Sequence, residues 1–326
     1  MAVGGSAGTV AMRRKMRRER LGRTGPLISV VGYGAWEAGG MAWGPNPPDD
    51  QTISSMRAAI ESGINWIDTA EVYGGGRSEE LVGRALEGTR DVMVFTKVAP
   101  HPQGSGFDSS GVRAAAEMSL GRLGRETIDL LQLHWPDRST PVEETWEAMS
   151  SLVEDGVVRH IGVSNFGRDL IERCERIRHV DSLQPPFSML RREGRGDLFD
   201  FCADNGTGII CYGPLGYGLL TGAFNRETRF SEDDWRGGGH GMSAYDALFA
   251  PDKFERSLDI VDALRPIAGR IGVSLAQLAL AWALHQKGVT GVIAGSRSPE
   301  HMRDNAGGGS VELSQDDLAE IERVLV

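Results

Sequence analysis

The chain has 326 residues, which is enough for one large domain or two ordinary ones. Apolar residues make up 40% of it and charged residues 25%, as is usual for a globular protein. The formal net charge of −10 argues against nucleic acid or an anionic membrane as the main partner. An anionic ligand would therefore need a local basic pocket.

The beginning of the chain differs in composition from the rest. It is rich in glycine and alanine, then carries six basic residues between positions 13 and 20, and it lacks the apolar segment of a secretory signal. We expect residues 1–20 to be a disordered basic tail and residues 21–326 to form one domain.

Three irregularly spaced cysteines (Cys174, Cys202 and Cys211) suggest buried thiols rather than a disulfide framework or a metal cluster. That usage favours a reducing compartment, and we expect a cytoplasmic protein. No apolar run is long enough to span a membrane.

Short β-branched runs alternate with amphipathic stretches, a pattern typical of βα units around a parallel sheet. The predicted strands are Val30–Gly34, Asn65–Asp68, Val92–Lys97, Ile128–Leu133, Ile161–Ser164, Ser182–Gln184, Gly208–Tyr212 and Gly291–Ala294. The predicted helices are Asp50–Ser62, Ser78–Leu86, Ser109–Leu123, Val142–Glu154, Arg168–Arg178, Asp197–Asp204, Ser274–Gln286 and one beginning at Pro299.

Eight strands alternating with helices indicate the α/β class and a (β/α)8 TIM barrel. The competing doubly wound dinucleotide fold would need a third glycine after Gly32-Tyr33-Gly34 and a helix opening there, and neither is present. A Gly25-Pro26 turn within Leu21–Val30 predicts an N-terminal β-hairpin that plugs the bottom of the barrel. Residues Arg226–Glu255 are predicted to be a long loop insertion before the seventh helix, either a lid over the site or a surface loop.

The segment Gly63–Gly83 (GINWIDTAEVYGGGRSEELVG) is the most informative in the chain. A strand ends on Asp68, and Tyr73 follows in the loop beyond it. Two further strands end at or just before Lys97 and His134. Because barrel enzymes carry their chemistry at the carboxyl ends of the strands, these four side chains are expected to converge on one face.

Two other segments complete the pattern: VVRHIGVSNF at Val157–Phe166 and IAGSRSPEHMRDN at Ile293–Asn305. With these motifs, the chain from Leu21 to Val326 resembles the aldo-keto reductase family. The resemblance implies reduction of an aldehyde or ketone to an alcohol by hydride transfer from NADPH, without a metal.

The catalytic roles follow from the resemblance. Tyr73 would be the general acid, Lys97 would favour its tyrosinate form, Asp68 would hold Lys97, and His134 would bind the carbonyl oxygen. Taken singly, each residue is more often a packed, capping or solvated side chain. It is the four together, in this order and at strand ends, that indicate the chemistry.

The resemblance also implies a cofactor site. Ser164, Asn165 and Gln184 would hold the nicotinamide carboxamide, and Tyr212 would stack on its ring. The loop Gly213, Pro214, Leu215, Gly218 and Leu220 would wrap the pyrophosphate. The adenosine end would meet Gly295, Ser296, Arg297, His301, Asp304 and Asn305. His301 stands where relatives often carry Gln or Arg, so NADP is favoured and NADH remains possible.

For the substrate, Trp36 and Trp135 are expected to line an aromatic pocket suited to a small-molecule carbonyl compound. Two other functions stay open: a cofactor-binding regulatory subunit resembling the potassium-channel β subunits, and a dehydrogenase that mainly oxidises alcohols. No nucleic-acid or membrane partner is expected, and the sequence does not indicate the oligomeric state.

Overall fold

The computed structural model describes residues 16–100, 107, 109–238 and 247–325. Its ten strands are β1 (Arg18–Arg20), β2 (Leu27–Ser29), β3 (Val31–Gly34), β4 (Trp66–Asp68), β5 (Met93–Val98), β6 (Ile128–Leu133), β7 (Val158–Ser164), β8 (Ser182–Gln184), β9 (Gly208–Tyr212) and β10 (Val289–Ala294). Strands β3 to β10 form a closed parallel barrel in which β10 pairs with both β9 and β3. The predicted (β/α)8 barrel is confirmed.

The described helices surround the barrel. They are α1 (Asp49–Glu61), α2 (Arg77–Ala85), α3 (Ser109–Leu123), α4 (Val142–Glu154), α5 (Arg168–Glu175), α6 (Asp197–Asn205), α7 (Pro251–Ile271), α8 (Leu275–Leu284), α9 (Pro299–Gly307) and α10 (Gln315–Val324). Every predicted helix is present, with ends that differ by a few residues. At α8, a capping box joins Ser274 and Gln277, as the sequence suggests.

Two helices, α7 and α10, are absent from the sequence prediction. Helix α7 contains Pro266, a residue that normally interrupts a helix, and buries a stripe that includes Leu258 and Val261. Because α7 begins at Pro251, the predicted insertion Arg226–Glu255 is too long at its C-terminal end. The remaining loop lies directly before α7, whereas the helix predicted as the seventh, Ser274–Gln286, corresponds to α8. Residues 239–246 are outside the described part.

The N-terminal hairpin closes the bottom of the barrel as expected, but it begins earlier. Arg18–Arg20 pair antiparallel with Leu27–Ser29, so these three residues belong to a strand and not to the tail. This pairing provides hydrogen-bond partners for the backbone of β2. Leu21 and Ile28 are buried inside the barrel. Residues 1–15 of the expected tail lie outside the described residues.

The three cysteines are free and buried, as expected. In the part of the chain that the structure describes, no single helix is long and apolar enough to cross a membrane. In the same residues, α7 and α8 taken together are long and apolar enough to span a membrane, but they are bent by 88° relative to each other.

The lower barrel is filled by inward-facing apolar side chains, among them Trp66, Phe95, Leu130 and Ile210. The rings of Trp66 and Phe95 lie 4.9 Å apart. Space for the indole comes from Gly32 on the neighbouring strand, where a Cβ atom would lie 2.2 Å from the Trp66 ring.

This packing predicts that Gly32→Ala destabilises the barrel by about 1–3 kcal/mol, because the added methyl overpacks against Trp66. Gly269→Ala is the matched control: Gly269 is exposed in α7 and a Cβ there meets nothing within 4 Å. The control should keep or gain stability, since alanine favours a helix. Urea unfolding of both variants measures the difference, and equal stabilities would contradict the packing described.

Candidate active site

The four residues expected to carry catalysis meet at the carboxyl end of the barrel. Lys97 is at the centre of the group: its Nζ lies 2.5 Å from Asp68 Oδ1, 2.9 Å from the Thr69 carbonyl oxygen and 3.3 Å from the Tyr73 hydroxyl. The His134 and Tyr73 rings are 5.6 Å apart. Strands β4, β5 and β6 are adjacent in the barrel, which brings these side chains together.

Asp68 and Lys97 form a buried ion pair, with exposed side-chain fractions of 4% and 0%. Burial raises the pKa of the Asp68 carboxyl and lowers the pKa of the Lys97 ammonium, because each charge loses its hydration. The attraction between the two charges opposes both shifts. The pair can therefore stay ionised only while both partners are in place.

His134 follows β6 and lines the same pocket. Burial, assisted by the nearby Lys97 ammonium, lowers its pKa well below the usual value, so its imidazole is neutral at neutral pH. Its Nδ1 is buried and lacks a hydrogen-bond partner among the described residues. A neutral imidazole can still donate or accept one hydrogen bond at each nitrogen.

Ser164, Asn165, Gln184 and Tyr212 lie together at the ends of β7, β8 and β9. The Asn165 amide nitrogen donates to the His134 carbonyl oxygen (2.9 Å) and to Ser164 Oγ (3.1 Å), while its oxygen accepts from the Tyr212 hydroxyl (2.9 Å). Asn165 has φ 61°, a left-handed conformation that asparagine tolerates better than most residues. Gln184 donates to Asp68 Oδ2 (2.8 Å) and is thus in contact with the ion pair.

One cavity of about 620 Å³ connects these residues with the far end of the predicted cofactor site. The residues expected in the site that line it are Trp36, Asp68, Tyr73, His134, Trp135, Ser164, Asn165, Gln184, Tyr212, Gly213, Pro214, Leu215, Gly218, Gly295, Ser296, Arg297, His301, Asp304 and Asn305. Lys97 and Leu220 are not part of the lining. Lys97 is behind Tyr73 and Asp68, and Leu220 is buried with its N–H bonded to the Leu215 carbonyl.

At the end of the cavity expected to bind adenosine, the predicted cofactor-binding residues Arg297 and Asp304 form hydrogen bonds within the protein. Arg297 donates to the carbonyl oxygens of Trp43 (2.9 Å) and Pro45 (3.1 Å), and so holds the loop after β3. Asp304 accepts from Ser274 (2.7 Å) at the start of α8. Both residues therefore shape the cavity wall as well as line it.

Other lining residues were not named individually from the sequence, namely Glu37, Trp43, Phe224 and Arg236, while Tyr217 lies within the predicted pyrophosphate loop. Glu37 lies 3.5 Å from Arg297, and burial raises the pKa of its carboxyl. Arg236 forms a two-pronged ion pair with Asp234 and lies over the Trp43 ring. The density of aromatic residues near positions 36–43 and 217–235 is the signal that could have pointed to them.

The loops that carry these residues are paired across the cavity. Trp43 and Asp234 form an antiparallel bridge, and the Trp235 N–H donates to the Ala42 carbonyl oxygen (2.9 Å). The Trp36 and Trp235 rings stack at 6.0 Å. Residues 234–236 of the predicted insertion therefore lie at the cavity wall, which favours a role at the site over a surface loop without contact to it.

Comparison with known proteins agrees with this architecture. The family model described as "Aldo/keto reductase family" matches residues 30–326. The chain belongs to the aldo/keto reductase family.

Aldo-keto reductase YhdN of Bacillus subtilis is 36% identical over 93% of this chain and 91% of its own. The NADH-specific methylglyoxal reductase of Escherichia coli is 32% identical over 93% of this chain and 96% of its own. Among solved structures, the glycerol dehydrogenase of Gluconobacter oxydans has a TM-score of 0.84 at 32% identity, covering 96% of this chain and 95% of that one. An aldo/keto reductase from Klebsiella pneumoniae, solved with NADP and acetate, has a TM-score of 0.72 at 28% identity, covering 94% and 95%.

The ion pair predicts a characteristic double-mutant cycle. Asp68→Asn should reduce the free energy of unfolding by about 3–5 kcal/mol, because it leaves the Lys97 ammonium buried without a counter-charge. The double variant Asp68→Asn/Lys97→Met should recover most of that loss. Chemical denaturation at neutral pH measures both, and purely additive effects would contradict the coupling.

The lowered pKa of His134 predicts a pH-dependent stability. Below about pH 6.5 the unfolded chain takes up a proton that the folded chain does not, so this histidine reduces the stability as the pH falls. The stability of the wild-type protein relative to His134→Gln should therefore decline from pH 6.5 towards pH 5. Unfolding curves over that range test this, and a constant difference between the two proteins would be the contrary result.

Proposed function

We propose that this family member is an NADPH-dependent oxidoreductase that reduces an aldehyde or ketone to an alcohol, with Tyr73 as the general acid. The observation that carries the proposal is the 3.3 Å contact between the Tyr73 hydroxyl, on the cavity wall, and the buried Lys97 ammonium. A cation beside a phenol favours the tyrosinate that remains after the proton has left. Asp68 keeps that cation charged and in place.

Tyr73, His134, Lys97 and Asp68 would each have a separate role in the reduction. The carbonyl oxygen of the substrate would lie between Tyr73 and His134, which both line the cavity. The neutral His134 imidazole donates a hydrogen bond that orients this oxygen, and Tyr73 delivers the proton to it as the carbon is reduced. Lys97, held by Asp68, acts through Tyr73 by stabilising its deprotonated form.

The cavity fits a nicotinamide dinucleotide, which would supply the hydride when bound. It extends from Tyr73 to Asn305, and glycine at positions 213 and 218 allows the loop that lines it to adopt positive φ. The carboxamide would be held by Ser164, Asn165 and Gln184, the ring by Tyr212, and the pyrophosphate by the loop from Gly213 to Leu220. The adenosine end would meet Gly295, Ser296, Arg297, His301, Asp304 and Asn305.

The preference for NADPH over NADH is the finer part of the proposal. Ser296 and Arg297 suit a 2′-phosphate, and the Klebsiella structure was solved with NADP. The Escherichia coli relative is named as NADH-specific, so NADH is the alternative cofactor. Comparing turnover with both cofactors decides between them.

A mainly oxidising dehydrogenase is the second candidate, favoured by the similarity to a glycerol dehydrogenase. It would use the same residues in reverse, with Tyr73 accepting the proton. The aromatic walls at Trp36 and Trp135 suit a partly apolar carbonyl compound or its alcohol in either direction.

Tyr73→Phe should lower kcat by about 10²–10⁴-fold, because it removes the proton donor. Cofactor affinity should change little, since the lost hydroxyl bonds to Lys97 within the protein. The measurement is the loss of NADPH absorbance with a panel of aldehydes, beside NADPH binding followed by protein fluorescence.

Tyr33→Phe is the matched control. Its hydroxyl donates to the Ser296 carbonyl oxygen (2.9 Å) and is not part of the cavity lining, so this variant should retain most of its turnover. Full activity in Tyr73→Phe would remove Tyr73 from its role. Tight NADPH binding by the wild-type protein without turnover in either direction would favour a regulatory subunit instead.

A further inference from the structure

A buried glutamine, Gln132, lies inside the barrel next to the ion pair. It belongs to β6, where its Cα is paired with Lys97 on β5 and with Gly162 on β7. Paired residues of neighbouring strands present their side chains to the same face of a sheet, so Gln132 faces the barrel interior together with Lys97. It is fully buried.

Glycine at position 162 makes room for this side chain. A Cβ atom there would lie 2.1 Å from Ser182 Oγ and 3.3 Å from Gln132 Cγ. Because β7 has no side chain at Gly162, the polar side chains of Gln132 on β6 and Ser182 on β8 can approach each other there.

The Gln132 amide is in contact with the groups that hold Asp68. Its Oε1 lies 3.4 Å from Ser182 Oγ and 3.4 Å from Gln184 Nε2, and the same Gln184 nitrogen donates to Asp68 Oδ2 at 2.8 Å. The Gln132 Nε2 is buried and has no partner of standard hydrogen-bond geometry in the described part of the chain. Both glutamine amides lower the pKa of the Asp68 carboxyl, against the effect of burial.

A buried amide donor beside a carboxylate is satisfied most simply by that carboxylate. We propose that Gln132 is a positioning residue, which with Gln184 orients the Asp68 carboxylate towards Lys97. Gln132 does not line the cavity, and it acts on Asp68 together with Gln184, whose amide nitrogen contacts both. Its effect on turnover rests on the proposed function, whereas its effect on Asp68 does not.

Gln132 favours the charged form of Asp68. The charged and titratable groups nearest Asp68 are Lys97, Tyr73, His134 beyond β6 and Glu79 of α2. Glu79 accepts hydrogen bonds from Thr96 and Arg122. Among them only Lys97 opposes the effect of burial on Asp68, and the two glutamine amides assist it. Losing one amide should let Asp68 take up a proton at higher pH, which leaves Lys97 without its counter-charge.

The test is a titration of Asp68 by carbon NMR in protein labelled at the aspartate carboxyl carbons. The Asp68 signal is assigned by its loss in Asp68→Asn. Gln132→Met keeps the length of the side chain and removes the amide, and should raise the titration midpoint by about one pH unit. Gln132→Glu, which places a second carboxyl beside Asp68, should raise it further.

The matched control is Gln286→Met. Gln286 is also buried and donates to the Trp282 carbonyl oxygen (2.9 Å), away from the cavity lining. The control should leave the Asp68 midpoint where it is in the wild-type protein. Should Gln132→Met fail to fold, Ser182→Ala removes the hydroxyl on Gln132 Oε1 and should give a smaller shift in the same direction.

Turnover gives a second readout. In Gln132→Met the acid limb of the kcat profile should move to higher pH together with the Asp68 midpoint. An unmoved midpoint with kcat lowered equally at every pH would show a merely structural glutamine and overturn the proposal. If the wild-type protein turns over no carbonyl compound, the proposed function fails, and the NMR midpoint still decides the role of Gln132.

Discussion

The buried contact between Asp68 and Lys97 is the constraint on which the carboxyl end of the barrel depends. A carboxylate and an ammonium withdrawn from water are tolerated only as a close pair. The pairing requires β4 and β5 to be neighbours in a fixed register, with Asp68 opposite Phe95 and Lys97 two residues further on. The loop after β4 must then return so that the Thr69 carbonyl and the Tyr73 hydroxyl meet the same ammonium.

The barrel interior changes from apolar to polar within two residues along each of three strands. Trp66 is followed on the same face by Asp68, Phe95 by Lys97 and Leu130 by Gln132. The lower layer packs the barrel interior, and the upper layer carries charged and amide side chains that are themselves buried. Electrostatic interactions are stronger there than at the surface, so small displacements of these groups have large effects.

The sequence was sufficient for the barrel and for the residues at strand ends, because strand periodicity and the ends of strands are local features. It was insufficient where the fold brings distant loops together. Glu37, Trp43 and Arg236 lie in segments without periodicity and become neighbours only when residues 42–44 pair with 233–235. Helix α7 escaped detection because Pro266 disrupts its pattern, whereas tertiary packing of its buried face overrides that preference.

The order of the strands places two groups of site residues on different sides of the barrel rim. The residues to which we assign proton transfer occupy one arc, on β4, β5 and β6, and the loops after β9 and β10 form the opposite arc, where the far end of the cavity lies. Backbone hydrogen bonds, which are indifferent to side-chain identity, join the two arcs into one ring. Changes in the loops after β9 and β10 can therefore alter what the far end of the cavity binds while the Asp68–Lys97 pair on the other arc stays in place.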